Sequence, residues 1–255
     1  MIDDPWFYAA AIPAVLLFGI SKGGFGGGLG TLAVPLMTLT VSPLQAAAIL
    51  LPILCLMDLV SLWAYRNRWV WQELRVLLPA SLLGIGVGTL LFEYMSPNVI
   101  RLIVGSVAVS FTLHFWMTRD RRRHAGLPDF PRSAGTIGGS VAGFTSFIAH
   151  AGGPPINMYL LRRPLNRTDF VATTVLFFAV VNYVKLVPYA WLGQLDADNL
   201  VTSAVLAPLA PIGVMIGVYL HKRVSDRLFF GVVYLLLFLV GVRLIYDGLG
   251  LRLGF

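Results

Sequence analysis

A glycine-rich tract with a single lysine lies inside apolar sequence near the start of the chain. The tract covers residues 21–30, reads SKGGFGGGLG, and contains six glycines and Lys22. Glycine interrupts a helix and lets the backbone approach a ligand closely. Non-helical backbone at membrane depth is tolerated only where protein covers it or where it lines a cavity. We therefore predict that the tract forms half of a substrate site buried in a membrane, with the other half at residues 150–155, HAGGPP.

The amino-acid composition supports a membrane environment. Hydrophobic residues make up 57% of the 255 residues, and charged residues make up 12%, whereas a soluble domain is about one quarter charged. The formal net charge of +7 is attributed to cytoplasmic loops that face anionic lipid, and not to binding of nucleic acid. Residues 1–5 carry no basic stretch, so we do not interpret them as the start of a cleaved signal peptide.

Six apolar segments are long enough to cross the hydrocarbon core of a bilayer, which takes about 20 helical residues. We place these spans at residues 43–65, 73–92, 98–117, 168–192, 199–220 and 227–247. Two further apolar regions, 5–41 and 133–161, are interrupted by the glycine tract and by residues 152–155. Roughly eight apolar residues follow the second interruption, and as a helix they reach roughly 12 Å. The second region therefore cannot cross the membrane twice.

The basic residues predict the orientation of these segments. Of the 19 Lys and Arg residues, 14 lie in four groups, at residues 66–75, 119–132, 162–167 and 222–227. The positive-inside rule places all four groups in the cytoplasm, and the links around Glu93 and Asp196 are then external. Region 133–161 must start and end in the cytoplasm, and region 5–41 must start and end outside. Each is therefore predicted to be a re-entrant helical hairpin, and both chain termini are predicted to be external.

These assignments predict an all-α membrane protein built from two inverted-topology repeats. Each repeat is a broken re-entrant helical hairpin followed by three transmembrane helices. The N-terminal repeat covers residues 1–117, a basic cytoplasmic linker covers 118–132, and the C-terminal repeat covers 133–255. The same proline and glycine spacing occurs twice, at residues 79, 84 and 88 and at residues 208, 213 and 217. We also align Gly27-Gly28 with Gly152-Gly153.

Interrupted segments at corresponding positions of two inverted halves predict a transport site near the middle of the membrane. The helix that follows each break would offer free N–H groups and a positive dipole end to an anion. The candidate substrate-binding residues surround the two breaks: Ser21, Lys22, Gly23, Gly24, Gly27, Gly28, Thr31, His150, Gly152, Gly153 and Asn157. Close helix packing is the alternative role of the glycines. A hydrogen bond to their own helix is the alternative role of the polar side chains, and a bond to a backbone carbonyl is the alternative role of His150.

Polar residues inside the predicted spans are candidates for coupling or gating, namely Asp58, Asn182 and Lys185. Asp58 is the only acidic residue well inside a span, and intramembrane carboxylates are by default functional. It can form a static ion pair with Lys22 or Lys185, or it can carry a coupling proton. Lys185 can instead extend to the external interface. His150 is the second candidate proton carrier, because imidazole changes its charge near neutral pH.

The sequence lacks the motifs of several enzyme classes. No Cys, His or carboxylate cluster has metal-ligand spacing, no Gly-x-Ser-x-Gly elbow occurs, and the glycine tract does not complete a P-loop. We expect no catalytic residue, no metal and no cofactor. Without an ATP-binding domain, uphill transport would depend on an ion gradient. The expected partners are a small anion, a coupling proton and membrane lipid, and nucleic acid is not expected.

The two breaks together resemble the signatures of a known family. Residues 19–28, GISKGGFGGG, with VPL at 34–36, are similar to the first signature of the TauE/SafE family of sulfite exporters. Residues 143–155, followed by Tyr159-Leu160, are similar to the second. The resemblance implies a multi-pass transporter of the inner (cytoplasmic) membrane for export, or movement in both directions, of sulfite, sulfoacetate or another organosulfonate. We expect alternating access by rocking of one repeat against the other. The alternative is an anion or small-solute channel with the same re-entrant hairpins.

Overall fold

The computed structural model describes residues 2–92, 94–118, 131–221, 223 and 226–250. Within these ranges the secondary structure is helical, as expected for an all-α protein. Most of the predicted linker, residues 119–130, lies outside the described part, and so do Glu93 and Lys222. The helices are α1 (Pro5–Gly24), a 3-10 helix (Gly28–Leu32), α2 (Ala33–Met37), α3 (Pro43–Ala64), α4 (Trp71–Phe92), α5 (Pro97–Thr118), α6 (Arg132–Ala149), α7 (Gly153–Leu160), α8 (Arg167–Trp191), α9 (Ala197–Leu206), α10 (Leu209–Leu220) and α11 (Asp226–Gly248).

Helices occupy all six long apolar segments, and their outer ends lie within two residues of the segment limits. The segment 199–220 differs from expectation, because it is not one helix but the pair α9 and α10, bent by 44°. Pro208 stands at this bend, and a proline removes a backbone donor and clashes with the preceding turn. Among the described residues, α1, α3, α4 and α8 are each long and apolar enough to cross a membrane, and the bent pair would be a fifth span.

Both interrupted regions contain a long first arm and a short return. The first arm, α1, has 20 residues, and the chain after its break forms two helical pieces of five residues each. The first arm of the second region, α6, has 18 residues and is followed by the eight residues of α7. Neither return is long enough to cross a bilayer, which needs about 20 residues. The two regions therefore share the plan of one long and one short arm.

The backbone at the breaks explains part of the glycine content. Gly26 and Gly27 have φ angles of +66° and +73°, in the left-handed region that glycine adopts without a steric penalty. His150 closes α6 with φ of +51°, a conformation that costs a non-glycine residue about 1–2 kcal/mol. Gly153 and Pro154 then start α7, where a proline is well accommodated because its N–H is not needed.

Three helix pairs make the most extensive contacts: α4 with α6, α1 with α10, and α5 with α11. Small residues bring the backbones of the first two pairs together. A Cβ atom on Gly84 of α4 would lie 2.0 Å from the Ser140 carbonyl oxygen of α6, and one on Gly23 of α1 would lie 2.2 Å from the Val214 carbonyl oxygen of α10. Such close approach is typical of helix packing in membranes. Helices α3 and α8 contact each other and carry the buried polar residues described next.

Candidate functional site

A cavity lies between the two breaks, where α1, α3, α6 and α8 meet. The cavity has a volume of about 10 Å³ in this structure, close to the space that one water molecule needs. Its lining residues are Phe18, Lys22, Gly27, Leu54, Ser146, His150, Phe178 and Asn182. Four of them, Lys22, Gly27, His150 and Asn182, are among the candidates chosen from the sequence. The fold thus brings residues from both breaks and from both central helices to one place.

Lys22 lies on one side of this cavity and is 2% exposed. Its ammonium forms an ion pair with Asp58, with 2.6 Å between Nζ and Oδ1, and it donates to the Leu54 carbonyl at 3.2 Å. The other carboxylate oxygen of Asp58 accepts a hydrogen bond from Asn182 Nδ2 at 2.8 Å. A lysine has three N–H groups, so one of them is left for a ligand within the part of the chain that the structure describes.

Lys185 lies on the other side of the site and points inward, not towards an interface. Its ammonium donates to the carbonyl and to Oγ of Ser146 at 2.9 and 3.0 Å, and it contacts His150 Nδ1 at 2.8 Å. His150 Nε2 lies 2.9 Å from the Ala47 carbonyl oxygen. A carbonyl can only accept, so Nε2 carries a hydrogen. An ammonium next to a neutral imidazole with its hydrogen on Nε2 satisfies every one of these contacts.

With Lys22, Asp58 and Lys185 ionised and His150 neutral, the described residues of the site carry one net positive charge. The charges of Lys22 and Asp58 cancel, and Lys185 with a neutral His150 contributes one further positive charge. A buried charge is costly unless another charge or hydrogen bonds compensate it. One negative charge in the cavity would neutralise the site.

Aromatic side chains form the apolar wall of the cavity. Phe178 lies between the two breaks, because its ring would contact a Cβ placed either on Gly27 or on Gly152, at 3.2 and 3.0 Å. Phe18 stands against Gly30 in the same way. Sequence reasoning did not select either phenylalanine, and nothing in their local sequence distinguishes them from the other phenylalanines of an apolar helix.

Two predicted ligands, Gly23 and Gly24, are not among the cavity-lining residues. Both face α10, and their carbonyl groups accept hydrogen bonds from side chains at neighbouring helix ends. Tyr65 donates to the Gly23 carbonyl at 2.6 Å, and His221 Nδ1 lies 2.8 Å from the Gly24 carbonyl oxygen. In this structure the two glycines allow the close packing of α1 against α10, which is the other role that the sequence suggested for the glycines.

The remaining predicted ligands lie at the breaks and are not among the lining residues either. Ser21 Oγ accepts a hydrogen bond from the Gly30 N–H at 3.1 Å and so holds the first break together. Asn157 is half-buried on α7. The other members of this group are Gly28 and Thr31 in the 3-10 helix, and Gly152 and Gly153 at the second break.

The helix ends at the breaks offer fewer donors than expected. The two helical pieces after the first break have five residues each, which is too short for a sizeable aligned dipole. In the first turn of α7, Pro154 and Pro155 have no N–H group. Side chains, and not helix ends, therefore provide most of the donors that face the cavity.

Equivalent tyrosines hold the ends of the two long arms. Tyr65 donates to the Gly23 carbonyl at the end of α1, and Tyr189 donates to the Phe147 carbonyl at the end of α6, both at 2.6 Å. Each contact joins residues 42 positions apart. The second contact lies 124 positions further along the chain, which is also the separation of the contacting pair Asp58 and Asn182.

Comparison with known proteins agrees with the resemblance of the two signatures. The family model described as "Sulfite exporter TauE/SafE" matches residues 11–244 of the chain. A curated relative from Cupriavidus necator, named "Probable sulfite/organosulfonate exporter TauE", is 28% identical over 156 residues. That alignment covers 58% of this chain and 57% of the relative, so the match spans little more than half of either protein. No solved structure matches the chain.

Proposed function

Because this chain belongs to the TauE/SafE family of sulfite exporters, we propose that it is a secondary transporter for a small sulfur-containing anion. Sulfite, sulfoacetate and other organosulfonates are the proposed substrates, and export is the proposed direction, as in the name of the relative. The observation that carries this proposal is the cavity between the two breaks, which is lined by a buried lysine with an N–H left for a ligand.

The anion binds on the polar side of this cavity. Lys22 supplies a charged donor, and charge-assisted hydrogen bonds are roughly twice as strong as neutral ones. The hydroxyl of Ser146 and the second N–H of Asn182 are further donors on this side, and the charge of Lys185 acts from behind Ser146. The apolar wall formed by Phe18 and Phe178 faces the carbon part of an organosulfonate.

Two inverted repeats, with the boundaries predicted from the sequence, provide the alternating access. The contacts of α1 with α10 and of α6 with α4 correspond to each other when the halves are exchanged. The pairs α3 with α8 and α5 with α11 each join equivalent helices. The two tyrosine contacts support the same correspondence. This correspondence aligns residues that are 124 positions apart in the chain. It therefore pairs Gly28 with Gly152, whereas the alignment made from the sequence paired Gly27 with Gly152.

Proton coupling operates through Asp58, with His150 as the second candidate. The Asp58 carboxylate contacts the ammonium that the anion requires, so the two negative charges compete for one partner. A proton on Asp58 removes this competition and makes Lys22 available to the anion. Binding of the anion and binding of a proton would therefore favour each other.

The protein is placed in the cytoplasmic membrane with its basic loops inside, and cysteine labelling tests this orientation. Cys55 is the only cysteine and is buried, so a Cys55→Ser background is suitable. Arg68 and Ala197 are exposed at opposite helix ends. A membrane-impermeant maleimide applied to intact cells is expected to label Ala197→Cys but not Arg68→Cys. Labelling of both positions from outside would contradict the proposed topology.

The proposed substrate class is tested by binding and by flux. We expect sulfite or an organosulfonate to stabilise the purified protein, by about 2.7 kcal/mol at a concentration of 100 times the Kd, while acetate serves as the comparison ligand. In proteoliposomes, flux of the same anion should saturate and respond to a pH gradient. If none of these anions stabilises the protein or is transported, the proposal is wrong. Flux that does not saturate would instead indicate the channel.

A further inference from the structure

Ser61 on α3 carries a buried hydroxyl group without a hydrogen-bond partner. The residue is fully buried, and its Oγ has no hydrogen-bond partner within the described ranges. Leaving a buried polar group unpaired costs about 1–3 kcal/mol. An unpaired hydroxyl next to a charged site therefore calls for a partner that it meets in another state of the protein.

The position of Ser61 identifies this partner. Ser61 lies on α3, three residues after Asp58 and four before Tyr65, the residue that follows the last turn of this helix. All three side chains therefore share one face of the helix. Asp58 contacts Lys22 and Tyr65 contacts Gly23, so residues on both sides of Ser61 contact the end of α1. Along the helix axis, Ser61 is about 4.5 Å from Asp58. A lysine side chain has enough rotatable bonds to move its ammonium over such a distance.

In the second half of the chain, the lysine and the serine at the places equivalent to Lys22 and Ser61 are hydrogen-bonded to each other. On α8, Asn182, Lys185 and Tyr189 repeat the spacing of Asp58, Ser61 and Tyr65. Lys185 donates to Ser146 Oγ at 3.0 Å, and the two residues are 39 positions apart. Lys22 and Ser61 are also 39 positions apart and occupy the equivalent places. Each half thus has one lysine and one serine at these equivalent places. In the first half the lysine lies on the long arm α1 and the serine on α3, and in the second half the serine lies on the long arm α6 and the lysine on α8.

We infer that Ser61 is a second binding position for the Lys22 ammonium, used when the two halves exchange conformations. In the state described here, the Lys185–Ser146 contact is closed and Lys22 is held by Asp58 and Leu54. In the opposite state, Lys22 donates to Ser61 Oγ and the Lys185–Ser146 contact opens. Ser61 is therefore a positioning residue for the conformational step. The inference depends on the proposed transport by two inverted halves.

Replacement of Ser61 by alanine tests this role. Ser61→Ala removes the second binding position, so we expect turnover in proteoliposomes to fall about tenfold while the anion Kd from thermal shift stays unchanged. The melting temperature should rise, because the variant no longer buries an unpaired hydroxyl. Ser81→Ala is the matched control, because Ser81 is also fully buried and donates only to the Leu78 carbonyl of its own helix. We expect it to keep wild-type turnover.

The results separate this inference from the proposed function. If the wild-type protein does not transport the anion, the proposed function is wrong. If the wild-type protein transports and Ser61→Ala keeps full turnover, only the role of Ser61 is wrong. A weaker anion Kd in Ser61→Ala would place Ser61 at the anion itself and would also overturn this role.

A variant with both residues exchanged gives an independent test. Lys22→Ser combined with Ser61→Lys gives the first half the arrangement that Ser146 and Lys185 have in the second. We expect this double variant to transport at least tenfold faster than Lys22→Ser alone, because the ammonium returns to the same contact from the opposite helix. Equal transport by the folded double variant and the single variant would contradict the inference. Should the double variant not fold, the Ser61→Ala result decides.

Discussion

Replacement of Lys22 by glutamine is expected to reduce anion transport about 100-fold and to destabilise the protein by about 3–5 kcal/mol. Transport falls because the charged donor of the cavity is lost, and a hydrogen bond to a charged group contributes about 1.5–3 kcal/mol. Stability falls because Asp58 is left as a buried charge without its partner, and breaking a buried ion pair has this cost. Proteoliposome flux and thermal unfolding in detergent measure the two effects separately.

The double variant Lys22→Gln with Asp58→Asn separates the role of Lys22 at the anion from its role as a counterion. Both charges are removed together, so most of the lost stability should return, since a neutral pair avoids the unpaired carboxylate. Transport should stay about 100-fold below that of the wild type. A double variant that is stable and transports like the wild type would show that Lys22 serves only as the partner of Asp58.

Asp58→Asn alone tests proton coupling within the same series. The asparagine cannot take up or release a proton, but it can still accept the hydrogen bond from Asn182. We expect flux that no longer responds to an imposed pH gradient. Gradient-driven uptake equal to that of the wild type would exclude Asp58 as the proton carrier and would leave His150 as the candidate.

Replacement of Gly84 by alanine is expected to have the second large effect, a destabilisation of about 3 kcal/mol. The added methyl group would lie 2.0 Å from the Ser140 carbonyl oxygen of α6. Backbone cannot move aside as the end of a side chain can, so α4 and α6 would have to separate along the most extensive helix contact of the molecule. Overpacking of this kind typically costs 1–3 kcal/mol or more. Thermal unfolding and the yield of folded protein measure the loss.

Gly86→Ala is the matched control, because it lies two residues further along α4 and a Cβ there would meet nothing within 4 Å. Alanine is favoured over glycine in a helix by about 1 kcal/mol, so this variant should be as stable as the wild type or slightly more stable. Equal destabilisation by both substitutions would show that the loss of stability in Gly84→Ala does not come from the contact with α6.

Sequence reasoning placed the helices well because their limits are local properties. Apolar length and flanking charge define each segment, and Ser42 and Asn166 begin α3 and α8 as N-cap residues that accept from the N–H three positions on. The two breaks were also visible, because glycine and proline mark them directly. The bend between α9 and α10 was missed, since Pro208 lies in an apolar segment long enough to be read as one helix.

The sequence by itself thus determined the membrane character, the helices, the two breaks and the selection of Lys22, Asp58 and His150. Only the tertiary structure decided their partners: Lys22 with Asp58, and Lys185 with Ser146 and His150. It alone placed Phe178 between the breaks and left the hydroxyl of Ser61 unpaired. The physical reason is that helix limits depend on neighbouring residues. Which buried groups meet depends instead on how helices more than 30 residues apart in the chain pack together.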